Sequence, residues 1–122
     1  MILADTTIWI DLWRGRNLEM QRQLLDEQIA MHPFIIAELA LGSLHDRQKT
    51  LADLEGMTQV QVARLSEVHQ MIEAHSLYSK GIGLTDVHLV ASCFITPSTK
   101  LWTRDTRLRT VAEALGIHVN LP

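Results

Sequence analysis

The sequence predicts an α/β fold with a mainly parallel sheet of about five strands, and three observations carry that prediction. Short apolar or alternating runs at 2–4, 30–32, 58–62, 100–103 and 117–119 read as strands. Stretches of helical periodicity separate them, so successive strands connect by crossovers, which favours parallel pairing with helices on both faces. Two acids, Asp5 directly after an apolar run and Asp105 two residues after a strand end, fall at the edge where such sheets place their ligands. At 122 residues, the chain suits one domain, 1–122.

The elements follow in order. Ile2-Leu-Ala4 is a buried strand closing on Asp5. Thr6 or Thr7 caps a helix from Ile8 that carries Trp9, Ile10, Leu12 and Trp13 and stops near Gly15. Residues 17–29 make a second helix, with Leu18, Leu25 and Ile29 on one face, and Ala30-Met-His32 a very short second strand. Pro33 suits a first helical turn, where its missing N–H costs nothing, so a helix runs from Phe34 to Leu41 and ends at Gly42. Residues 44–55 continue as a polar-faced helix, Thr58-Gln-Val-Gln-Val62 alternates as a third strand, and 66–79 repeat apolar positions at Val68, Met71 and Ile72. After the breaker loop Lys80–Thr85, Asp86 opens an apolar helix to Ile95. Lys100 to Thr103 is the fourth strand, Asp105 caps a helix through Leu108, Val111, Ala112 and Leu115, and Ile117-His-Val119 is an edge strand.

Composition narrows the class. Hydrophobic residues make up 47% of the chain, enough for a core and against disorder. No apolar run reaches the ~20 residues that span a bilayer. The start, Met-Ile-Leu-Ala-Asp, has no basic region before its apolar residues, so no signal peptide is expected. The single cysteine, Cys93, reads as a small buried hydrophobe, and a cytoplasmic location is expected. Net charge is −3, and setting four particular acids aside changes it to +1. That balance argues against tight binding driven by phosphate contacts alone.

Those four acids stand apart by position. Asp5 and Asp105 follow strands; Glu38 lies in the apolar helix Phe34–Gly42, and Asp86 heads another. A charge in such surroundings needs a partner or a metal, and no Lys or Arg lies within three residues of Glu38. Converging carboxylates repel unless a cation joins them, and an oxygen-rich site suits Mg2+ or Mn2+. Each acid also has a plainer reading: Asp5, Asp86 and Asp105 as helix caps, Glu38 as a solvated helix face.

The joint order of these acids resembles PIN domains, and within that class the VapC-type toxins of bacterial toxin–antitoxin pairs. The matching stretches are Ile2-Leu-Ala-Asp-Thr-Thr-Ile-Trp-Ile-Asp11, Ile36-Ala-Glu-Leu-Ala-Leu-Gly42, Gly81-Ile-Gly-Leu-Thr-Asp-Val-His-Leu-Val-Ala91 and Leu101-Trp-Thr-Arg-Asp-Thr-Arg-Leu108. The resemblance implies a doubly wound three-layer α/β/α domain. It implies catalysis and metal binding by Asp5, Glu38, Asp86 and Asp105, supported by the hydroxyls of Thr6 and Thr103. It implies an Mg2+- or Mn2+-dependent endoribonuclease acting on structured RNA of the tRNA or rRNA class, a small antitoxin partner and a homodimer. One departure is that many relatives carry a second Asp or Asn after the last acid, where Thr106 and Arg107 stand here.

Other chemistries fit poorly. The six histidines include no pair at helical i, i+4 spacing for zinc. Gly81 and Gly83 lack the Gly-Lys-Ser/Thr of a phosphate loop, and no nucleophile elbow is present. A receiver-type phosphorylation switch would need an acidic doublet ending the first strand. A non-cleaving PIN-like module that binds RNA or protein is the remaining alternative. Arg14, Arg16, Arg104 and Arg107 are candidate RNA contacts, with Arg109 nearby; each also reads as solvated charge. Trp9, Trp13 and Leu25 mark a candidate antitoxin groove, and the many-sided apolar segment Phe34–Leu44 a candidate dimer patch, unless the helix at 66–79 covers it.

Overall fold

The computed structural model describes all residues, 1–122. The chain order is β1 (Ile2–Ala4), α1 (Thr6–Trp13), α2 (Leu18–Leu25), β2 (Ile29–Ala30), α3 (Pro33–Ala40), α4 (Arg47–Glu55), α5 (Leu65–Ala74), α6 (Leu84–Ile95), β3 (Lys100–Trp102) and α7 (Thr106–Ala114). The sheet has the order β2-β1-β3 and both pairings are parallel. Ile2 lies opposite Ile29 and Lys100, and Ala4 lies opposite Trp102. All of β1 is buried, as expected of a parallel strand covered on both faces.

The sheet has three strands, not the five expected. The two missing runs lie at its edges and each reaches it at one residue, Gln59 beside Met31 and His118 beside Leu101, both in parallel. Each makes two backbone hydrogen bonds there: Met31 N to Thr58 O and Val60 N to Met31 O at one edge, Leu101 N to Ile117 O and Val119 N to Leu101 O at the other. Beyond these bonds both runs turn to other partners. Gln61 N donates to the Thr96 hydroxyl, and Leu121 N folds back onto Val119 O.

Local chemistry sets the helix ends. Asp5 caps α1 by accepting from the Thr7 and Ile8 amides, so the helix begins at Thr6, and neither Thr6 nor Thr7 is its cap. Asn17 caps α2. That helix ends at Leu25, short of the expected 29, because Glu27 takes a left-handed φ of 54° and Gln28 O already accepts from Ile2 N. Its buried residue is Met20, whereas Leu18 and Leu25 are exposed. The His32 imidazole caps α3, with Pro33 in the first turn. Helix α5 ends at Ala74 rather than 79, followed by Ser76 at φ 52°.

Helix α6 shows no amphipathic stripe because it is buried on two sides. Leu89, Val90 and Cys93 join the main core of 21 residues around the sheet, while Val87 and Ala91 pack with Val68, Leu77 and Val111 of a smaller core. Burial pushes the Cys93 thiol up to about 12, so it behaves as the small hydrophobe expected. No helix is long and apolar enough to cross a membrane.

Candidate active site

Parallel pairing delivers the first two acids to one edge. The ladder continues one residue beyond β1, with Asp5 N donating to Trp102 O at 3.0 Å. Asp5 therefore stands beside Thr103, whose hydroxyl donates to Asp5 Oδ2. On the other side Thr7 donates to Oδ1 through its hydroxyl and through its amide. Both hydroxyls also accept: Thr103 Oγ1 from Asp105 N and Thr7 Oγ1 from Arg104 N, each at 3.0 Å. The loop bearing Asp105 is thus tied to the carboxylate of Asp5. His118 holds the same loop from behind, its Nε2 accepting from Thr103 N at 3.2 Å while Nδ1 donates to Val119 O.

The other acids face this edge from helices. Asp105 caps α7, with Oδ1 accepting from Leu108 N at 2.9 Å. Asp86 is the third residue of α6 rather than its opening one, and Oδ2 accepts from Gly83 N at 3.4 Å. Glu38 is exposed in the last turn of α3 and lines a cleft with Thr6. None of the five ion pairs includes any of these four carboxylates.

Electrostatics link the four. Asp5 is only 4% exposed, and burial raises its carboxyl above the ordinary range although the Thr103, Thr7 and Ile8 hydrogen bonds oppose the shift. Asp86 is raised first by burial and then by the charges of Asp105 and Glu38, against the Gly83 amide. Asp86 therefore senses two of the other acids, and Asp5 reaches Asp105 through Thr103. No three Asp, Glu, His or Cys side chains stand close enough here to enclose a metal ion. The donor chemistry nonetheless fits a hard divalent cation: four oxygen ligands without a cationic partner, two of them disfavoured as charged groups by burial, with water available to complete the coordination.

The arginines separate under the structure. Arg104, adjacent to Asp105, is held by Asp11 at 2.5 Å. Arg107 lies across Gly81, with its Cδ 2.7 Å from where a Cβ would be and Gly81 at φ +76°; a side chain at Gly81 would displace it. Arg109 pairs with Glu113 and donates to Leu121 O. Arg14 and Arg16 are exposed. Three contributors escape the sequence reading: Thr7, Asp11 and His118. Thr7 has a local signal, since a hydroxyl two residues after a capping Asp is well placed to bond it. Asp11 and Arg104 are separated by 93 positions, and no local pattern marks such a pair.

The parallel α/β sheet agrees with the sequence comparisons. The chain belongs to the PIN domain family, whose model matches residues 2–114. Within that family it is of the VapC type. It is 34% identical over 117 residues to Ribonuclease VapC32 of Mycobacterium tuberculosis, in each of two strains, covering 96% of this chain and 94% of that protein.

Proposed function

We propose that this single domain, 1–122, is an Mg2+- or Mn2+-dependent endoribonuclease toxin of the cytoplasm. The observation that carries this reading is the set of four carboxylates on four separate segments, none with a cationic partner, with Asp86 in reach of the charges of Asp105 and Glu38. The similarity to a protein named a ribonuclease supports it. Asp5, Glu38, Asp86 and Asp105 would hold the ion directly or through water. Bound there, it would make water more acidic and offset charge on the attacked phosphate.

The chain's own residues do the positioning. Thr7 and Thr103 fix both oxygens of Asp5, so that carboxylate cannot rotate away. The Gly83 and Leu108 amides each hold one carboxylate oxygen, of Asp86 and Asp105 respectively. In the hydrolysis, water oxygen bonds to phosphorus, the bond from phosphorus to the 3′ oxygen breaks, and a proton passes to that oxygen. The products are a 5′-phosphate and a 3′-hydroxyl, as the family resemblance implies. Structured RNA of the tRNA or rRNA class is the proposed substrate on the same ground.

Induced expression of the wild type beside Asp5→Asn, with mapping of new RNA 5′ ends, tests this function. Cleavage confined to the wild type, abolished by EDTA and restored by Mg2+, is the expected result. Undiminished cleavage by Asp5→Asn, or in EDTA, removes the site. The separation of the acids also favours one rival, a non-cleaving PIN-like module, for which neither protein would cut RNA.

An antitoxin partner and a homodimer belong to the same proposal. A groove of about 750 Å3 lined by Met1, Trp9, Leu12, Trp13, Leu24 and Met57 suits an apolar protein segment. Leu24 lines it where Leu25 was expected. A basic side chain from such a partner would replace the cation's charge among the acids. Co-purification with a small protein from the native operon is the expected result, and a toxin that copurifies with none refutes it.

A further inference from the structure

We propose that the cleft between α1 and α3 is a nucleotide subsite, in which one unpaired base of an RNA strand stacks on Trp13 while Arg14 holds the adjoining phosphate. This rests on the ribonuclease reading and names how the strand is held beside the acids. The cleft encloses about 500 Å3 and is lined by Thr6, Ile10, Trp13, Arg14, Glu38 and Ser43, among others. That volume lies in the range of small-ligand sites.

The lining has the chemistry of a single-strand site. Thr6, Ile10 and Trp13 recur at spacings of four and three and so share one face of α1. Ile10 and Trp13 are 38% and 43% exposed, so both present apolar surface to the cleft. Trp13 meets Trp9 at a tilt of 50° with ring centroids 5.8 Å apart, which leaves the exposed part of its indole open to a planar group. Arg14 follows it directly, is exposed, and takes part in no ion pair. An aromatic face beside an unpaired guanidinium is the combination that grips a base and its phosphate in single-stranded nucleic acid.

Position decides the occupant. The opposite wall carries Glu38, one of the four acids, so a strand whose phosphate lies at the acids passes this cleft. The larger apolar groove, which Trp13 also lines, is the surface suited to a protein segment. A base already paired and stacked in a duplex cannot reach Trp13, so the subsite selects unpaired nucleotides. Every base has a π face, so it does not select sequence strongly.

Fluorescence anisotropy on full-length Asp5→Asn, at low salt in EDTA, tests this with three fluorescein-labelled probes: a short single-stranded RNA of mixed sequence, an abasic strand of equal length, and the RNA annealed to its complement. Adding Trp13→Ala weakens binding of the single strand about tenfold, and Trp13→Phe restores most of it. Neither change alters binding of the abasic strand or the duplex. Arg14→Ala weakens the RNA and the abasic strand alike and reduces the salt slope by about one. If Trp13→Ala melts early, Trp13→Phe and Arg14→Ala still decide the matter. The proposal is overturned if Trp13→Ala leaves RNA affinity unchanged, weakens the abasic strand equally, or impairs only retention of a co-expressed antitoxin. Absence of saturable RNA binding by Asp5→Asn also overturns it. Binding is read here without cleavage, so failure of the subsite is distinct from failure of the nuclease reading, which depends on whether Asp5→Asn stops cleavage.

Discussion

Asp5 serves two purposes with one side chain. Its Oδ1 closes the first turn of α1, and its Oδ2 is held by Thr103, 98 positions away. Asparagine caps as well as aspartate, so Asp5→Asn removes the charge and keeps the turn. Because the buried carboxylate has no cationic partner, metal-free Asp5→Asn melts at or above the wild type by calorimetry. Asp5→Ala also loses the cap and melts lower than Asp5→Asn, by about 1 kcal/mol of stability. His32 is a second residue whose environment dictates its charge. Its Nδ1 accepts from Phe34 N at 2.9 Å, which a protonated imidazole cannot do, and its Nε2 is buried without a partner. Burial, then the neighbouring His88, lower it from 6.5 to about 4. Between those values the unfolded chain binds more protons than the folded one, so stability rises with pH across that window. The wild type loses about 1–2 kcal/mol through this residue between pH 7 and pH 5. In urea titrations His32→Asn, which can still cap, flattens that slope.

Among the elements, α2 shows how periodicity misleads. Leu18 and Leu25 are seven residues apart and suggest one apolar face, yet they are 75% and 83% exposed. Met20 is the residue fully buried from this helix. Met20→Ala therefore costs about 2–5 kcal/mol in chemical denaturation, whereas Leu25→Lys stays within about 0.5 kcal/mol. The edge runs at 58–62 and 117–119 show the complementary case. Their alternation is real, but a strand exists only where a neighbour supplies partners for its amides, and here those amides bond Thr96 or turn back on the chain.

For the whole molecule, the exposed apolar surface is the open question that a mass measurement answers. Helix α3 packs chiefly against α1 and α4, and α5 chiefly against α6, so the helix at 66–79 is not the main cover of Phe34–Leu44. Ile35 and Leu39 face the core, but Leu41 is 90% exposed. A two-fold interface through this segment places Leu41 against its partner copy. Light scattering then gives a dimer mass for the wild type and a monomer mass for Leu41→Arg, with unchanged melting. A wild-type monomer at high micromolar concentration rejects the dimer and leaves the site untouched.

The sequence by itself determined the fold class, the chain order of the helices and of the three strands that form, and the PIN family. The fold class and the elements follow from local hydrophobic period and capping residues, and the family from the resemblance carried by four acids and the motifs around them. It also marked Asp105 as the cap of α7 and Cys93 as buried, because both depend on immediate neighbours. Only the tertiary structure decided the rest. The reduction from five strands to three depends on the partners the edge runs find beyond the sheet, Thr96 for Gln61 and Val119 for Leu121. The pairing of Arg104 with Asp11 and the brace of His118 on Thr103 join positions far apart in sequence. Such contacts exist only once the parallel sheet has set β1 beside β3, and no window of sequence contains both partners.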